Sequence, residues 1–349
     1  EDKKKQYFEL KKYIENLELS IKNEEINLKE IELDIRHLDI NIQKLTENKE
    51  IQDSLTLREK KKEIEVELRN LNLDKKRENL ENLIESLRLE EEKILKNIIS
   101  NFETKNSLLI KELIKIELKN ILILATGSSM NAALITKYFI SDILNINIEI
   151  KEPFNYYNYE KINENIDLVI AISQSGKSAS TISALKYVKK CKNIPSIAIT
   201  SNNMSTIAKE SNMILDLGIG IEQVGFVTKG FSATVLNLFL LAIILAKEKK
   251  LISANQKEFY LKELNIIIEN IPQVILKTEN FIKEKKEIFL NAKRFIGIGY
   301  GACFGLVKEF ETKFTETIRL PSQGFELEAY MHGPYLEANK EHIIFYFDN

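Results

Sequence analysis

Hydrophobic positions in the first 45 residues recur at alternating spacings of three and four. They are Tyr7, Leu10, Ile14, Leu17, Ile21, Leu28, Ile31, Ile35, Leu38, Ile42 and Leu45. This heptad repeat is typical of a coiled coil. The first 100 residues contain neither glycine nor proline, the residues that most often mark turns, so this segment is either long helix or disordered chain.

A polar segment over residues 46–54 interrupts the repeat, and a second apolar pattern follows it through Leu57, Ile64, Leu68, Leu71, Leu80, Leu83 and Leu87. We predict an all-α antiparallel coiled-coil hairpin over residues 1–91, with a single dimerising helix as the alternative. The arm is interpreted as a spacer or oligomerisation device whose partner is unknown, or as a fusion of unrelated origin. It resembles the tRNA-binding arm of seryl-tRNA synthetases in architecture only.

Beyond residue 111, short apolar segments alternate with helical patterns. The segments are 121–125, 168–172, 195–200, 294–298 and 342–346, with helical stretches at about 228–248 and 256–290. This alternation predicts parallel strands buried on both faces in a three-layer α/β/α fold. We expect one such domain over 92–250, then a linking helix and a partial second domain over 251–349. The second sheet has few strands, so we expect further sequence at the carboxyl end.

Charge and cysteine content exclude several classes of function. Fifty Lys and Arg balance 52 Asp and Glu, giving a net charge of −2, which argues against nucleic-acid binding by bulk charge. Cys191 and Cys303 are too few for a disulfide scaffold and suit a reducing, cytoplasmic compartment. Neither has a metal-ligand neighbour, so we predict no metal. No apolar run approaches the roughly 18 residues of a membrane span.

Serine residues cluster after two of the predicted strands. Ser128 and Ser129 follow the first strand, and the second is followed by Ser173, Gln174, Ser175, Gly176, Lys177 and Ser178. Ligands of parallel sheets bind beyond the carboxyl ends of the strands, where helix amino termini present unpaired N–H groups. Ordinary helix capping explains one or two serines per helix, but not two such clusters. The pattern predicts a site for a phosphate monoester dianion.

Two segments of the sequence resemble nucleotide-binding motifs but do not match them. The loop over 171–178 nearly matches a P-loop, but Ala171 stands where that motif needs glycine, and it lies inside the strand. Gly297, Gly299 and Gly301 have the wrong spacing for a dinucleotide motif. We therefore predict no nucleotide site.

Four segments together resemble the sugar isomerase (SIS) domain family. They are TGSS at 126–129, ISQSGKS at 172–178, EQVGFVTKGF at 222–231 and YMHGP at 330–334. The resemblance covers about residues 92–349. It is strongest to the isomerase half of glutamine–fructose-6-phosphate aminotransferases and to the related amino-sugar-phosphate deaminases and fructosamine-phosphate deglycases. It implies a flavodoxin-like SIS domain followed by a partial second one.

The resemblance also implies roles for individual residues. Ser173, Gln174, Ser175 and Ser178 match the phosphate-binding loop of the family, and Ser128 and Ser129 match its sugar-contacting turn. Glu316 matches the carboxylate that moves a proton between C1 and C2, and Lys313 matches a lysine beside it. His332 matches the ring-opening histidine, usually supplied by the neighbouring subunit of a homodimer with a shared active site. An enediol or enolamine route needs only such acid–base groups, so no cofactor is expected.

Departures from the family pattern keep the substrate open. Lys177 stands where glutamate is frequent, and Val227 stands where a hydroxyl residue is frequent; Lys177 would suit a sugar adduct that bears a carboxylate. The chain shows no glutaminase half. We therefore expect isomerisation, deamination or deglycation of a phosphosugar. The alternatives are a sugar-phosphate-sensing module without catalysis and a coiled-coil interaction protein.

Overall fold

The computed structural model describes residues 36, 37, 39, 91–220, 222 and 228–348. The chain divides into two compact units, Glu1–Ile84 and Glu85–Asn349. The three described residues of the first unit are helical. The rest of the predicted coiled-coil hairpin lies outside the described residues, so the hairpin stays a prediction. The architecture below belongs to the second unit.

Five short strands form the first sheet, and all of them are parallel. They are β1 (Asn120–Leu124), β2 (Asn147–Lys151), β3 (Leu168–Ile172), β4 (Ser196–Thr200) and β5 (Met213–Asp216). Their order in the sheet is β2-β1-β3-β4-β5. The predicted parallel sheet is therefore confirmed.

Helices cover both faces of this sheet. They are α1 (described over 91–105), α2 (Ser107–Ile114), α3 (Ser128–Leu144), α4 (Pro153–Tyr159), α5 (Ala179–Cys191), α6 (Thr206–Glu210) and α7 (Lys229–Glu248). Ile121 and Ile123 of β1 face a core shared with α1, α2, α3 and α7, whereas Leu122 and Leu124 face a core shared with α4, α5 and α6. This alternation follows from the two-residue period of a strand, and it confirms the three-layer fold.

Helix α7 explains the most apolar part of the sequence. Among the described residues it is the one helix long and apolar enough to cross a membrane, but 72% of its most apolar window is buried inside the protein. Leu240, Ile243 and Leu245 are nearly inaccessible. Helix α7 therefore belongs to the core of the domain.

A long helix leads to a second, smaller sheet. Helix α8 (Ala254–Glu284) begins at a capping box made by Ser253 and Gln256, and α9 (Lys286–Asn291) follows it. The second sheet is parallel, with order β7-β6-β8. Its elements are β6 (Arg294–Gly299), α10 (Ala302–Thr317), β7 (Ser322–Glu326), α11 (Leu327–Met331), a 3-10 turn (Pro334–Glu337) and β8 (His342–Phe347).

The second sheet repeats the first half of the first one. Its order β7-β6-β8 corresponds to β2-β1-β3. Gly127 precedes α3 with φ 58° and ψ −139°, and Gly301 precedes α10 with φ 55° and ψ −130°. Glu152 and Glu326 cap the helices that follow β2 and β7 through their side chains. The partial second α/β unit is thus a copy of the first in topology and in local backbone geometry.

Candidate functional site

The two serine clusters follow neighbouring strands of the first sheet. Strands β1 and β3 pair in parallel, with Leu124 beside Ala171. Ser128 begins α3 just after β1, and Ser173 comes directly after β3. Both loops therefore leave the sheet at its carboxyl edge, where parallel α/β proteins bind ligands.

The first loop is a glycine turn that opens α3. Gly127 has a positive φ of 58°, and its carbonyl accepts the N–H groups of Met130 and Asn131. A Cβ atom at Gly127 would meet nothing within 4 Å, so the space beside the turn is open. Ser128 and Ser129 are half-buried. The turn thus presents two hydroxyls and a helix amino terminus to open space.

The second loop, over residues 173–178, is stabilised by hydrogen bonds that its own hydroxyl groups make. Ser173 is buried, and its Oγ accepts the Ser178 N–H at 3.4 Å. The exposed Ser175 accepts the Lys177 N–H at 3.3 Å through its Oγ, while the Ser178 hydroxyl pairs with Thr181 at 2.9 Å. The hydroxyls and amides of this loop are therefore concentrated around one turn, as a phosphate site requires.

Residues at the end of β4 and after it donate hydrogen bonds to the backbone of the second loop. The Gln174 carbonyl accepts both the Thr200 hydroxyl at 3.2 Å and the Ser201 N–H at 2.9 Å. The Gly176 carbonyl accepts the Ile207 N–H at 3.3 Å. These bonds tie loop carbonyls back into the fold. Sequence reasoning missed this support, because Thr200 and Ser201 become neighbours of the loop only through the pairing of β3 with β4.

Helix α10 packs closely against α3. A Cβ atom at Gly305 would lie 2.6 Å from the backbone nitrogen of Ile135 and 2.9 Å from the carbonyl oxygen of Asn131, so the two helices touch at this glycine. Further along α10, Glu309 Oε2 accepts Asn131 Nδ2 at 2.9 Å, and Thr312 Oγ1 lies 3.4 Å from the same nitrogen. Asn131 of α3 is therefore the centre of the contact with α10.

The next turn of α10 carries two of the expected catalytic residues. Lys313 Nζ lies 2.8 Å from Glu316 Oε2. The structure thus brings Lys313 and Glu316 together on α10, one turn beyond the residues that contact Asn131 of α3.

His332 lies elsewhere in the same chain. Helix α10 starts at the carboxyl edge of the second sheet and ends at its amino edge, so Glu316 is about 21 Å along the helix from Ala302 at 1.5 Å per residue. The exposed His332 follows α11, which starts at the carboxyl end of β7. Glu316 near the end of α10 and His332 after α11 are therefore carried by different elements of the second sheet unit.

A further carboxylate organises the segment before α7. Glu222 Oε1 accepts the N–H groups of Thr228 and Lys229 at 2.7 and 3.1 Å, and its Oε2 accepts that of Gly230 at 3.1 Å. These are N–H groups at the amino end of α7, so Glu222 stabilises the start of that helix. Val227 lies outside the described residues. Over 91–220 and 228–348, no group of three or more His, Cys, Asp and Glu side chains could hold a metal ion.

Fold and site together define a class of protein. Adjacent strand ends carry hydroxyls and helix amides, an arrangement suited to a phosphorylated ligand. Residues 116–244 match the model of the SIS domain family. The chain belongs to the SIS-domain family of phosphosugar-binding proteins.

Similar proteins act on sugar phosphates. The chain is 29% identical over 267 residues to a glutamine–fructose-6-phosphate aminotransferase of Wigglesworthia glossinidia brevipalpis, covering 74% of this chain and 43% of the relative. A crystal structure described as a phosphosugar isomerase of Clostridium difficile 630 has 30% identity and a TM-score of 0.69, covering 76% of this chain and 74% of that one.

A glucosamine-6-phosphate deaminase of Thermotoga maritima has 25% identity and a TM-score of 0.58, covering 74% of this chain and 76% of that one. The chain thus spans less than half the length of its curated aminotransferase relatives. It spans about three quarters of the two solved structures. What these relatives act on is considered for this chain below.

Proposed function

We propose that this protein binds a hexose 6-phosphate or its amino derivative and moves a proton between C1 and C2. The observation that supports the proposal is the contact of α10 with Asn131 of α3, because α3 begins at Ser128 and the pair of Lys313 and Glu316 follows that contact on α10. The phosphate group would accept hydrogen bonds from Ser173, Gln174, Ser175 and Ser178. Ser128 and Ser129 would contact the sugar.

The chemistry needs one base that returns the proton it takes. The Glu316 carboxylate would remove the proton next to the carbonyl, and the C–H electron pair would become the C1–C2 double bond of an enediol while the carbonyl oxygen gains a proton. Glu316 then returns the proton to the other carbon, while the hydroxyl on the first carbon loses its proton and becomes the new carbonyl, which gives the isomer. With nitrogen in place of oxygen, the enolamine becomes an imine, and its hydrolysis by water releases the amine. Lys313 would stabilise the oxygen charge that develops, and no cofactor is needed.

The proposal also concerns which amine the sugar-phosphate substrate carries. Lys177 is exposed within the phosphate-binding loop, so its ammonium would meet a negative group on the substrate. A sugar phosphate condensed with an amino acid carries such a carboxylate. Deglycation of such an adduct, or deamination, is therefore proposed beside simple isomerisation.

We also propose that the active unit is a cytoplasmic homodimer. Glu316 lies near the end of α10 and His332 follows α11, and we expect His332 to assist ring opening at a site completed by another copy. The division into an arm over 1–91, a first domain over 92–250 and a partial second domain over 251–349 stays a prediction. So does the absence of nucleic-acid and membrane partners.

Replacing Glu316 by Gln tests the catalytic proposal. Turnover of fructose 6-phosphate, glucosamine 6-phosphate and fructosamine 6-phosphates should fall at least a hundredfold, because the amide has no basic oxygen of comparable strength. Binding of the same ligands, followed by thermal shift, should remain. If the unchanged protein binds these compounds and converts none of them, it is a sensing module and the catalytic proposal is wrong.

A further inference from the structure

A buried carboxylate that the proposed reaction does not use lies between the two helices that frame the site. Glu309 on α10 is only 7% exposed. Aspartate and glutamate are almost never this buried unless they are paired, because removing a charge from water is costly. A residue with this cost at the edge of a proposed active site calls for a physical reason.

Both oxygens of Glu309 are engaged, each by a different helix. Oε2 accepts the Asn131 side-chain amide of α3 at 2.9 Å. Oε1 lies 3.6 Å from Lys313 Nζ, one turn further along α10. The same Lys313 nitrogen lies 2.8 Å from Glu316. The ammonium of Lys313 is thus shared between a buried carboxylate and an exposed one.

The geometry points to Glu309 as a positioning residue: we propose that its carboxylate, anchored by Asn131, holds Lys313 and thereby places Glu316 beside the sugar. Residues 309, 313 and 316 lie on one face of α10, because their spacings of four and three match the helical period. This positioning role rests on the proposed function, because Glu309 can affect catalysis through Lys313 and Glu316 only if Glu316 is the base.

Packing alone does not explain the buried charge. Gly305 already allows α3 and α10 to touch, and an apolar side chain would fill the space at Glu309 without the cost of burying a carboxylate. The side chain of Lys313 is 22% exposed and that of Glu316 is 38% exposed. A partly exposed ion pair of long side chains holds little geometry on its own. The contact of Lys313 with the buried Glu309 therefore adds order to the pair of Lys313 with Glu316.

Glu309→Gln is the central variant of the test. It keeps the size of the side chain and an oxygen for Asn131 but removes the charge that holds Lys313. With fructose 6-phosphate, or whichever compound of the panel the protein converts, we expect kcat to fall at least tenfold and KM to change less than twofold. Glu311→Gln is the matched control: Glu311 lies on the same helix and pairs with Lys308, but it bonds the Gly324 N–H of β7. Its kcat should change less than twofold.

A double-mutant cycle separates positioning from folding. If Glu309 acts through Lys313, adding Glu309→Gln to Lys313→Met should change kcat less than twofold. If Glu309→Gln does not fold, Asn131→Ala tests the same role, because it removes the side-chain amide that donates to Glu309. It should lower kcat in the parent and have no further effect on Lys313→Met.

Two results overturn the inference alone, both in a protein that is active before the change. One is a Glu309→Gln variant that behaves like Glu311→Gln. The other is an effect of Glu309→Gln, or of Asn131→Ala, that is as large in Lys313→Met as in the parent. A parent protein that converts no compound of the panel overturns the proposed function, and this inference with it.

Discussion

At the scale of single residues, the loop after β3, which we propose binds phosphate, depends on one glycine. Gly176 is buried and has a φ of +69°, a conformation that costs other residues about 1–2 kcal/mol. A Cβ atom there would lie 2.1 Å from the Ser205 hydroxyl oxygen and 2.9 Å from that of Thr200. The loop can therefore approach its support only because this position has no side chain.

Gly176→Ala should consequently displace the loop. We expect the affinity for fructose 6-phosphate to fall at least tenfold, measured by calorimetric titration, together with a lower melting temperature. Gly220→Ala is the matched control, because Gly220 has the same φ of +69° but open space around it. The Gly220→Ala variant therefore has the conformational cost of a positive φ without a steric clash. Equal losses of affinity in the two variants would show that the contact with Ser205 is unimportant.

Residue types and spacing were enough to predict the serine clusters, because phosphate-binding hydroxyls lie close together in sequence. Glu309 and Asn131 could not be found in this way. They are 178 residues apart, and only the crossing of α3 with α10 makes them neighbours. The sequence alone predicts that Glu309 is a solvent-exposed charged residue of a polar helix. Its burial is a property of the tertiary structure.

At the scale of elements, the sequence predicted the strands that the core covers. The predicted strands at 121–125, 168–172, 195–200, 294–298 and 342–346 are confirmed to within one residue at each end. Strands β2, β5 and β7 were missed, and each lies at an edge of its sheet. Edge strands are less fully covered and keep polar residues, as in Ser322–Glu326, so the apolar run that reveals a buried strand is missing.

The length of α10 leads to a prediction about pairs of subunits. Because α10 separates Glu316 from His332, each site should take these residues from different copies. Glu316→Gln and His332→Ala proteins, both inactive alone, should form mixed dimers with one intact site. Random exchange of subunits would restore about a quarter of the parent activity.

The assay is turnover after mixing the two variants and allowing subunits to exchange. Mixing two preparations of Glu316→Gln is the control and should restore nothing. Mixed dimers without activity, confirmed as mixed by native mass spectrometry, would mean that Glu316 and His332 do not serve a shared site.

At the scale of the whole molecule, the described part of the chain after residue 90 is a SIS-family α/β unit with a partial repeat of itself. The repeat preserves the glycine that opens the first helix and the glutamate that caps the second, but Gly301 is followed by Ala302 and Cys303 instead of serines. Among the described residues, the two serine clusters therefore follow strands of the first sheet. Strand β6 of the second sheet is followed by α10, which contacts α3 at Asn131 and carries the pair of Lys313 and Glu316.

The central claim is that the loop after β3 binds the phosphate of a sugar phosphate and that the loop after β1 contacts its sugar. Calorimetric titration tests it most directly, with fructose 6-phosphate and fructose as ligands. The parent protein should bind fructose 6-phosphate and not fructose. A Ser175→Ala/Ser178→Ala protein should lose at least tenfold in affinity, since hydrogen bonds to a charged group contribute about 1.5–3 kcal/mol each. Ser183→Ala, on the exposed face of α5, should bind like the parent. Equal binding of both sugars, or unchanged affinity in the double variant, would contradict the account.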